Sequence, residues 1–328
     1  MMRILIRADA STVIGSGHVM RCLTIANNFR RLGHQVVFWM SELPGHLIDL
    51  VISKGFSVTQ TVMKADLLIV DHYQFGVEWE TEMRAWAKKI IVIDDLANRR
   101  HDCDLLLDQN VVPNYEHRYD ALVPAQCRKL LGPTYLIMRD EFVAARGKSR
   151  NRSGKVERLL VFMGGSDPTD ETTKVLQALQ HTNTSFKHVD VVVGNSCVKR
   201  DDIKRLCEDM QLHYYCQIDY MAELMRLADF SIGAGGSSMW ERCYVGLPSA
   251  STVVAENQRL STNTAEELNA IIQIGWHVDV SSTHYLQLLD KLPAMSEQLM
   301  AMSEQGYKIT ESQDGPNAWL QEMVGLLS

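Results

Sequence analysis

The feature that most constrains this chain is a glycine-rich segment, residues 14–21 (Ile-Gly-Ser-Gly-His-Val-Met-Arg), which lies between an apolar run and a helix-like pattern. The apolar run spans residues 3–7, and apolar residues then recur at helical spacing from Cys22 to Phe29. A strand, a glycine turn and a helix in this order place His18 in the first turn of the helix, beyond the carboxyl end of the strand. Glycine lets a backbone approach a ligand closely, and histidine exchanges a proton near neutral pH. His18 is therefore a candidate active-site residue.

Two other interpretations of this turn need weighing. The dinucleotide-binding fingerprint requires a third glycine after Gly15 and Gly17, but Met20 holds that position, so the usual dinucleotide turn is disfavoured. A histidine at the start of a helix can also be only a surface or capping residue. The turn alone does not decide between this role and catalysis.

The same order of strand, glycine turn and helix recurs in the second half of the chain. Strands are predicted at residues 3–7, 35–40, 67–71, 90–94, 104–107, 159–163, 189–193, 230–232 and 277–280, and helices at 18–32, 44–54, 78–88, 283–305 and 316–327. Short, continuously apolar strands that alternate with helices are typical of a parallel sheet covered on both faces. We therefore expect an α/β protein with two doubly wound parallel-sheet domains that face each other across a cleft, where a ligand would bind.

The chain has 328 residues, a length that suits two domains. The basic stretch around residues 146–156 contains no acidic side chain before residue 157 and predicts a linker between a first domain at 1–145 and a second at 157–310. Residues 311–328 are expected to form a C-terminal helix that is free to pack back on the first domain.

The composition disfavours several classes of function. The net charge of −7 argues against a general nucleic-acid or anionic-membrane binder. No apolar run approaches the ~20 residues that span a bilayer, and the first residues are too polar for a signal peptide. The seven cysteines are scattered without a Cys-x-x-Cys pair, as expected for reduced thiols. We expect a cytoplasmic protein with no nucleic-acid partner and no stable membrane association. Its oligomeric state stays open, with a monomer the simpler expectation.

Two glycine-rich turns in the second half are suited to bind anions, because free backbone N–H groups and the helix dipole favour negative charge at the start of a helix. The turns comprise Gly164, Gly165 and Ser166, and Gly235, Gly236, Ser237 and Ser238. Glu241 follows Ser238 by three residues. This spacing fits a capping box, but it equally fits a carboxylate that accepts both ribose hydroxyls of a nucleotide.

Other chemistries find little support. The Gly-x-x-x-x-Gly-Lys-Ser/Thr loop of nucleoside triphosphatases is missing from the sequence. Asp102 and Asp104 resemble an Asp-x-Asp metal clamp, but they run directly into a predicted strand edge. His101 and His117 lack cysteine or histidine partners at zinc spacing. We therefore expect neither a metal nor a cofactor.

Three motifs together resemble a known family: Gly-x-Gly-His-x-x-Arg near the start, Gly-Gly-Ser-Asp-Pro in the middle and Gly-Ala-Gly-Gly-Ser-Ser-x-x-Glu later. The chain resembles the UDP-sugar hydrolases of bacterial pseudaminic acid synthesis. These are relatives of the GT-B glycosyltransferase that adds N-acetylglucosamine to lipid-linked muramyl peptide. The resemblance continues through residues 71–73, 93–104, 107–110 and 256–258, so it covers most of the chain.

The resemblance implies hydrolysis of UDP-2,4-diacetamido-2,4,6-trideoxy-β-L-altropyranose, in which water attacks the anomeric carbon with inversion and UDP leaves. This chemistry needs little protein assistance. UDP leaves as a stabilised anion, so a carboxylic acid that protonates the leaving group is dispensable. What remains is to orient and deprotonate a water molecule, for which a neutral imidazole is suited.

The resemblance also implies the roles of individual residues. His18 would be the base, Ser237 and Ser238 would bind the diphosphate, and Glu241 would bind the ribose. The residues expected to face the substrate are Asp9, Gly15, Gly17, Arg21, Tyr73, Asp94, Asn257 and Gln258. Four of these have structural alternatives: Arg21 as a salt bridge, Tyr73 as a packed ring, Asp9 as a cap at a strand end and Asp94 as a cap of the next helix. Asp95, which follows Asp94, could likewise bind the sugar or cap that helix. Asp9 could also orient His18.

Three rival functions remain. A UDP-sugar glycosyltransferase of the same fold would need an acceptor, whereas a hydrolase releases free sugar without one. A non-catalytic sensor would bind the UDP-sugar and never consume it. An epimerase that releases UDP would differ in the configuration at C2 of its product.

Overall fold

The computed structural model describes residues 1–148, 152–312 and 315–327. They form two units, the first comprising Met1–Met138 with Ser312–Ser328 and the second Arg139–Glu311. Each unit contains one parallel β-sheet with helices on its faces. None of the helices described could cross a membrane by length and apolar character.

The first unit is built on a seven-stranded sheet with the order β3-β2-β1-β4-β5-β6-β7, in which every paired strand is parallel. The strands are β1 (Arg3–Ala8), β2 (Gln35–Trp39), β3 (Ser57–Thr59), β4 (Ala65–Asp71), β5 (Ala87–Ile93), β6 (Leu105–Asp108) and β7 (Arg128–Leu131). The continuous apolar run of β1 follows from burial on both faces. Ile4 and Ile6 join one hydrophobic cluster, and Leu5 joins the other, as the two-residue period of a strand requires.

The helices of the first unit are α1 (Gly17–Arg31), α2 (Ile48–Ser53), α3 (Val77–Met83) and α12 (Ala318–Gly325). The predicted helices 44–54 and 78–88 are shorter in the structure. Gly45 has φ +80° in a turn that precedes α2, and residues 87 and 88 belong to β5. β3 and β7 escaped prediction because both are short and partly exposed.

The second unit has a six-stranded sheet with the order β10-β9-β8-β11-β12-β13, also parallel throughout. The strands are β8 (Arg158–Phe162), β9 (His188–Val193), β10 (His213–Cys216), β11 (Phe230–Ala234), β12 (Ser249–Val253) and β13 (Ile272–Trp276). β12 was missed because its sequence, Ser-Ala-Ser-Thr-Val, is polar although all five residues are buried. The strand expected at 277–280 is wrong: residues 277–279 form a turn, and β13 ends before them at Trp276.

The helices of the second unit are α4 (Asp140–Gly147), α5 (Glu171–His181), α6 (Arg200–Asp209), α7 (Met221–Leu227), α8 (Ser237–Tyr244), α9 (Arg259–Glu267), α10 (Ser282–Lys291) and α11 (Ser296–Ile309). The single helix predicted at 283–305 is divided into α10 and α11. A 3₁₀ turn that contains Pro293 separates the two, because proline lacks the N–H that would continue the helix.

The boundary between the units lies earlier than the sequence indicates. Residues 139–145, expected in the first domain, belong to the second unit. The basic stretch also does more than connect the units. Arg146 donates to the carbonyl oxygens of Tyr244 (2.9 Å) and Tyr307 (3.0 Å), and Arg152 donates to the carbonyl oxygen of Gly246 (2.7 Å). Residues 149–151 of this stretch lie outside the described residues.

The C-terminal helix packs in the core of the first unit. Trp319 and Met323 of α12 are both fully buried and belong to the same hydrophobic cluster as Phe29 of α1. Burial of a tryptophan removes about 150–250 Å² of surface from water, so the end of the chain contributes substantially to the stability of its first unit.

Candidate functional site

The turn between β1 and α1 positions His18. Gly15 has φ +81°, a backbone conformation that favours glycine, and its N–H donates to the carbonyl oxygen of Ser11 (2.9 Å). α1 begins at Gly17, so His18 lies in its first turn. A Cβ atom added at Gly17 would meet no atom within 4 Å. Packing within the chain therefore does not require a glycine at position 17.

His18 is hydrogen-bonded to a carboxylate that ends the neighbouring strand. Asp71 is the last residue of β4 and pairs in register with Ala8 of β1. Its Oδ1 lies 2.6 Å from Nδ1 of His18. Both side chains are buried, Asp71 completely. Parallel pairing of β1 and β4 thus brings together a histidine and an aspartate that are 53 residues apart in sequence.

The electrostatics of Asp71 determine which nitrogen of His18 is free. Burial alone would raise the pKa of Asp71, but the Arg21 charge and the contact with His18 hold it well below its usual range. An ionised carboxylate only accepts hydrogen bonds, so Nδ1 of His18 carries the proton that points to Asp71. In the neutral ring, Nε2 then has the free lone pair. Among the residues described, Nε2 has no hydrogen-bond partner, and it can accept a proton from water.

Arg21 binds the same carboxylate from one turn further along α1. Its Nε donates to Oδ2 of Asp71 and its Nη2 to Oδ1, both at 2.8 Å. Burial lowers and the Asp71 charge raises the pKa of Arg21, with a net increase. The structural alternative for Arg21 is therefore realised as a bidentate salt bridge. The same bridge fixes Asp71 and, through it, the orientation of His18.

Tyr73 and Asp95 lie beside this dyad. The ring of Tyr73 meets His18 edge-on, with centroids 4.6 Å apart, and its hydroxyl group hydrogen-bonds to Asp95. Burial raises the pKa of Asp95, and the nearby Arg21 charge opposes that increase. Oδ1 of Asp95 is buried and has no hydrogen-bond partner within the described part of the chain. Asp95 thus carries an unsatisfied polar atom and is close enough to His18 to interact with it electrostatically.

Two predicted substrate contacts, Asp9 and Asp94, are already occupied by other protein groups. Asp9 accepts from Nη1 of Arg7 (2.7 Å) and from the backbone N–H of Ser41 (2.7 Å), and its Oδ2 lies 3.3 Å from Nε2 of His72. Because these donors saturate the carboxylate, Asp9 fits the strand-end role better than a sugar contact, and Asp71 rather than Asp9 orients His18.

Asp94 is equally engaged. Its Oδ1 lies 2.7 Å from Nη1 of Arg99, and its Oδ2 accepts from the N–H of Ala97 and the hydroxyl group of Tyr119, both at 2.9 Å. Burial raises the pKa of Asp94, but the nearby His101 ring (3.9 Å) and the Arg99 charge outweigh it and lower the pKa to about 2. These contacts support a structural role for Asp94.

In the second unit, a glycine turn leads from β11 into α8. Gly236 precedes the helix with φ +84°, and no side chain caps this helix start. A Cβ atom on Gly235 would lie 2.6 Å from Oγ1 of Thr262 and 3.1 Å from Oε1 of Gln258. Close approach therefore requires glycine at 235. Ser237 and Ser238 are the first two residues of the helix.

Glu241 is not part of a capping box. Its Oε1 instead accepts from Nη2 of Arg139 (3.1 Å), and Nη1 of Arg139 lies 2.5 Å from Glu141. This leaves Glu241 one turn into α8 with its second oxygen available. Gln258, predicted to face the sugar, lies against Gly235 and accepts from the N–H of Val254 through Oε1 (3.0 Å). Asn257 is in the same 3₁₀ turn, Glu256–Gln258.

The turn at Gly164, Gly165 and Ser166 differs from the turn at α8. Asp167 follows it and accepts from the N–H groups of Glu171 (3.0 Å) and Thr172 (2.9 Å) at the start of α5. These backbone N–H groups at the start of α5 were expected to bind a phosphate, but they donate to Asp167 instead. The anion site expected at α5 is thus filled by the chain itself.

Asp102 and Asp104, which resemble a metal clamp in sequence, lie just before β6 and both pair with Arg84. Nη2 of Arg84 lies 2.8 Å from Asp102, and Nη1 lies 2.5 Å from Asp104. Within the residues that the structure covers, no group of three or more histidine, cysteine, aspartate and glutamate side chains is arranged to hold a metal ion.

Sequence reasoning assigned no role to two residues of these sites, Asp71 and Arg242. Asp71 was visible as a carboxylate at the end of a predicted strand, but the strand order that brings it to His18 was not. Arg242 follows the glycine turn by one helical turn and is fully buried, a burial that its charge gave no reason to expect.

Comparison with known proteins places this architecture. Residues 159–314 match the family model of the glycosyltransferase family 28 C-terminal domain. A solved structure of MurG from Acinetobacter baumannii superposes with a TM-score of 0.64 at 12% identity, over 100% of this chain and 99% of that one. The protein has a GT-B fold, and most of its second unit is similar to the glycosyltransferase family 28 C-terminal domain.

Two sequence relatives narrow the comparison. The UDP-2,4-diacetamido-2,4,6-trideoxy-β-L-altropyranose hydrolase of Campylobacter jejuni is 28% identical over 223 residues, 65% of this chain and 76% of that protein. The uncharacterised protein MJ1062 of Methanocaldococcus jannaschii is 28% identical over 265 residues, 75% of this chain. The match spans only 54% of MJ1062, so the chain corresponds to about half of that relative.

Proposed function

We propose that this protein hydrolyses UDP-2,4-diacetamido-2,4,6-trideoxy-β-L-altropyranose to UDP and the free sugar, without a metal ion, in pseudaminic acid synthesis. The observation that carries the proposal is the contact of Nδ1 of His18 with Oδ1 of Asp71, at 2.6 Å, which leaves Nε2 as the ring nitrogen that can face a water molecule. The similarity to the Campylobacter hydrolase supports this choice of substrate.

In the proposed reaction, Nε2 of His18 removes a proton from a water molecule as the water oxygen attacks C1 of the sugar. The bond between C1 and the diphosphate oxygen breaks, and its electron pair leaves with UDP. One carboxylate–histidine pair is sufficient, because the diphosphate is a stable leaving anion. The Asp71 charge stabilises the imidazolium that forms on His18, as a buried carboxylate does for a histidine base.

We assign UDP to the second unit. The start of α8 has no capping side chain, so its first N–H groups and the hydroxyl groups of Ser237 and Ser238 are suited to the diphosphate. Glu241 would accept the ribose hydroxyls through the oxygen that Arg139 leaves free. Asp167 occupies the first N–H groups of α5, beside the turn at 164–166. We therefore assign this turn only a secondary part in UDP binding.

We assign the sugar to the residues around His18 in the first unit, namely Tyr73 and Asp95. The unpartnered Oδ1 of Asp95 is the strongest candidate among these for a hydrogen bond to the substrate. Gly15 and Gly17 would allow the substrate to approach the start of α1.

The proposal is tested by proton NMR of the purified protein with the UDP-sugar, in EDTA and without any acceptor. We expect the anomeric signal of the substrate to disappear as UDP and free sugar accumulate, with the inverted anomer first. UDP binding with no loss of substrate would contradict the proposal.

A glycosyltransferase is the second candidate, favoured by the family 28 domain and the similarity to MurG. In this case the same experiment shows an intact UDP-sugar until an acceptor is added. A hydrolase releases sugar at a rate that an acceptor does not change.

A further inference from the structure

Arg242 is a fully buried cation in α8, behind the glycine turn. Its Nη2 donates to the carbonyl oxygen of Ala234 (2.9 Å) and to Oγ of Ser251 (2.8 Å). Its Nη1 donates to Oγ of Ser238 (3.4 Å) and would lie 2.4 Å from a Cβ atom on Gly233. The guanidinium group therefore reaches back along α8 and lies directly against the turn.

No carboxylate among the described residues lies within ion-pair distance of this guanidinium. All of the hydrogen-bond partners that the described part of the chain offers it are neutral, and its Nε is buried there without a partner. Burial lowers the pKa of Arg242 to about 10, so the side chain stays charged at neutral pH. A buried charge without a counter-ion is costly, and proteins normally pair such groups.

The start of α8 is also electropositive. The helix has no capping side chain and no acidic residue in its first turn. α5 shows the opposite arrangement, since Asp167 accepts from two of its first N–H groups. The uncapped helix end and the unpaired arginine meet at Ser238, so two independent sources of positive potential act on the same turn.

We propose that Arg242 supplies the charge that holds the diphosphate of a nucleotide at the turn formed by residues 235–238, and that the diphosphate is its missing counter-ion. Arg242 acts as a positioning residue, because it works through Ser238 and through the carbonyl oxygen of Ala234. Its bond to that carbonyl withdraws a partial negative charge that would otherwise repel the phosphates. The inference rests on the part of the proposed function that assigns UDP to this unit, and it does not depend on hydrolysis.

The test compares ligands of decreasing charge, namely UDP, UMP and uridine, by calorimetric titration of the full chain and its variants. In Arg242→Gln, a neutral side chain that retains donors, we expect UDP affinity to fall by about 30–100-fold, because charge-assisted contacts carry roughly 2–3 kcal/mol. UMP should lose less affinity, and uridine should change by less than about threefold. Arg242→Lys should recover most of the UDP affinity.

Arg146→Met is the matched control. Arg146 also donates only to neutral groups, but it does so at the other end of α8, at the carbonyl oxygen of Tyr244 (2.9 Å). We expect this variant to bind UDP, UMP and uridine as the unaltered protein does, even if it unfolds at a lower temperature.

Equal loss of affinity for the three ligands in Arg242→Gln would assign Arg242 a merely structural role and overturn the inference, as would no loss at all. If Arg242→Gln does not fold, the unaltered protein decides: pyrophosphate alone should raise its melting temperature at constant ionic strength, and no rise overturns the inference. If UDP binding depends on Arg242 but the UDP-sugar is not hydrolysed, the proposed hydrolase is refuted and this inference stands. If the UDP-sugar is hydrolysed but the loss of affinity in Arg242→Gln does not depend on ligand charge, the inference is refuted and the hydrolase stands.

Discussion

Asp71→Asn is the substitution that examines the site most closely, since it changes one oxygen to nitrogen at the centre of four contacts. Asp71 accepts from His18 and twice from Arg21, and Sγ of Cys22 lies 3.7 Å away. An asparagine has one acceptor and one donor group. With its oxygen held by Arg21, its NH₂ group would face Nδ1 of His18 and force the proton onto Nε2. The ring then has no lone pair for water.

The magnitude follows from this change of tautomer. The corresponding aspartate-to-asparagine change in a serine protease lowers kcat by about 10⁴, so we expect a loss of about 10³–10⁴-fold here. Asp71 is fully buried and pairs with Arg21, and breaking a buried pair costs about 3–5 kcal/mol. A domain has only about 5–15 kcal/mol of stability, so the assay should run well below the melting temperature of the variant, with circular dichroism as a control of folding.

His18→Asn provides the comparison. The amide nitrogen of asparagine can replace Nδ1 in the bond to Asp71, but it offers nothing in the position of Nε2. We expect about 10²–10⁴-fold loss of kcat with unchanged UDP affinity. The double variant should be no slower than the slower single variant, because the two residues act as a unit. A folded Asp71→Asn protein that keeps kcat within tenfold, or losses that multiply in the double variant, would refute this account of the dyad.

Four further predictions concern other parts of the molecule. Gly17→Ala should leave the free energy of unfolding unchanged or raise it by up to ~1 kcal/mol, because a Cβ there meets no atom within 4 Å, yet it should raise KM if substrate approaches this turn; an unchanged KM would remove Gly17 from the site. In calorimetric titration, Glu241→Gln should lower the affinity for UDP more than the affinity for pyrophosphate, which has no ribose. An equal loss of affinity for the two ligands would exclude the ribose contact. Folding lowers the pKa of Asp94 from 3.8 to about 2, so its ionised form contributes about 2 kcal/mol of stability above pH 4, which is lost as the pH falls toward 2. In urea denaturation, the free energy of unfolding of Asp94→Asn should be lower than that of the unaltered protein, and this difference should narrow between pH 5 and 3. A difference independent of pH would contradict this. Trp319→Ala should lower the free energy of unfolding by about 3–5 kcal/mol, as urea denaturation would measure, whereas a loss below 1 kcal/mol would mean that α12 is not part of the core.

Much of the fold was predictable because its central strands carry an unambiguous signal. β1, β4 and β5 each contain a run of three or four buried apolar residues, at 4–6, 67–70 and 90–93, and this pattern is typical of a parallel sheet. β12 could not be recognised, because its serines and threonine are polar and only their surroundings make them core residues.

The candidate site was predictable at His18 and at the turn before α8, where glycine and histidine are required by backbone conformation or chemistry. The partners of His18 were not, because sequence does not give the order of strands. Asp9 and Asp71 both follow or end apolar strands, and only the pairing of β1 with β4 shows that Asp71 is the one beside His18. Sequence also cannot show that Arg7 saturates Asp9 (2.7 Å).

The central claim is that a water molecule activated by His18 attacks the anomeric carbon. The most direct measurement is hydrolysis of the UDP-sugar in H₂¹⁸O, followed by mass spectrometry of both products. Our account predicts ¹⁸O at C1 of the released sugar, none in UDP, and loss of this reaction in His18→Asn. Label in the phosphate of UDP, or labelled sugar at an undiminished rate in His18→Asn, would contradict it.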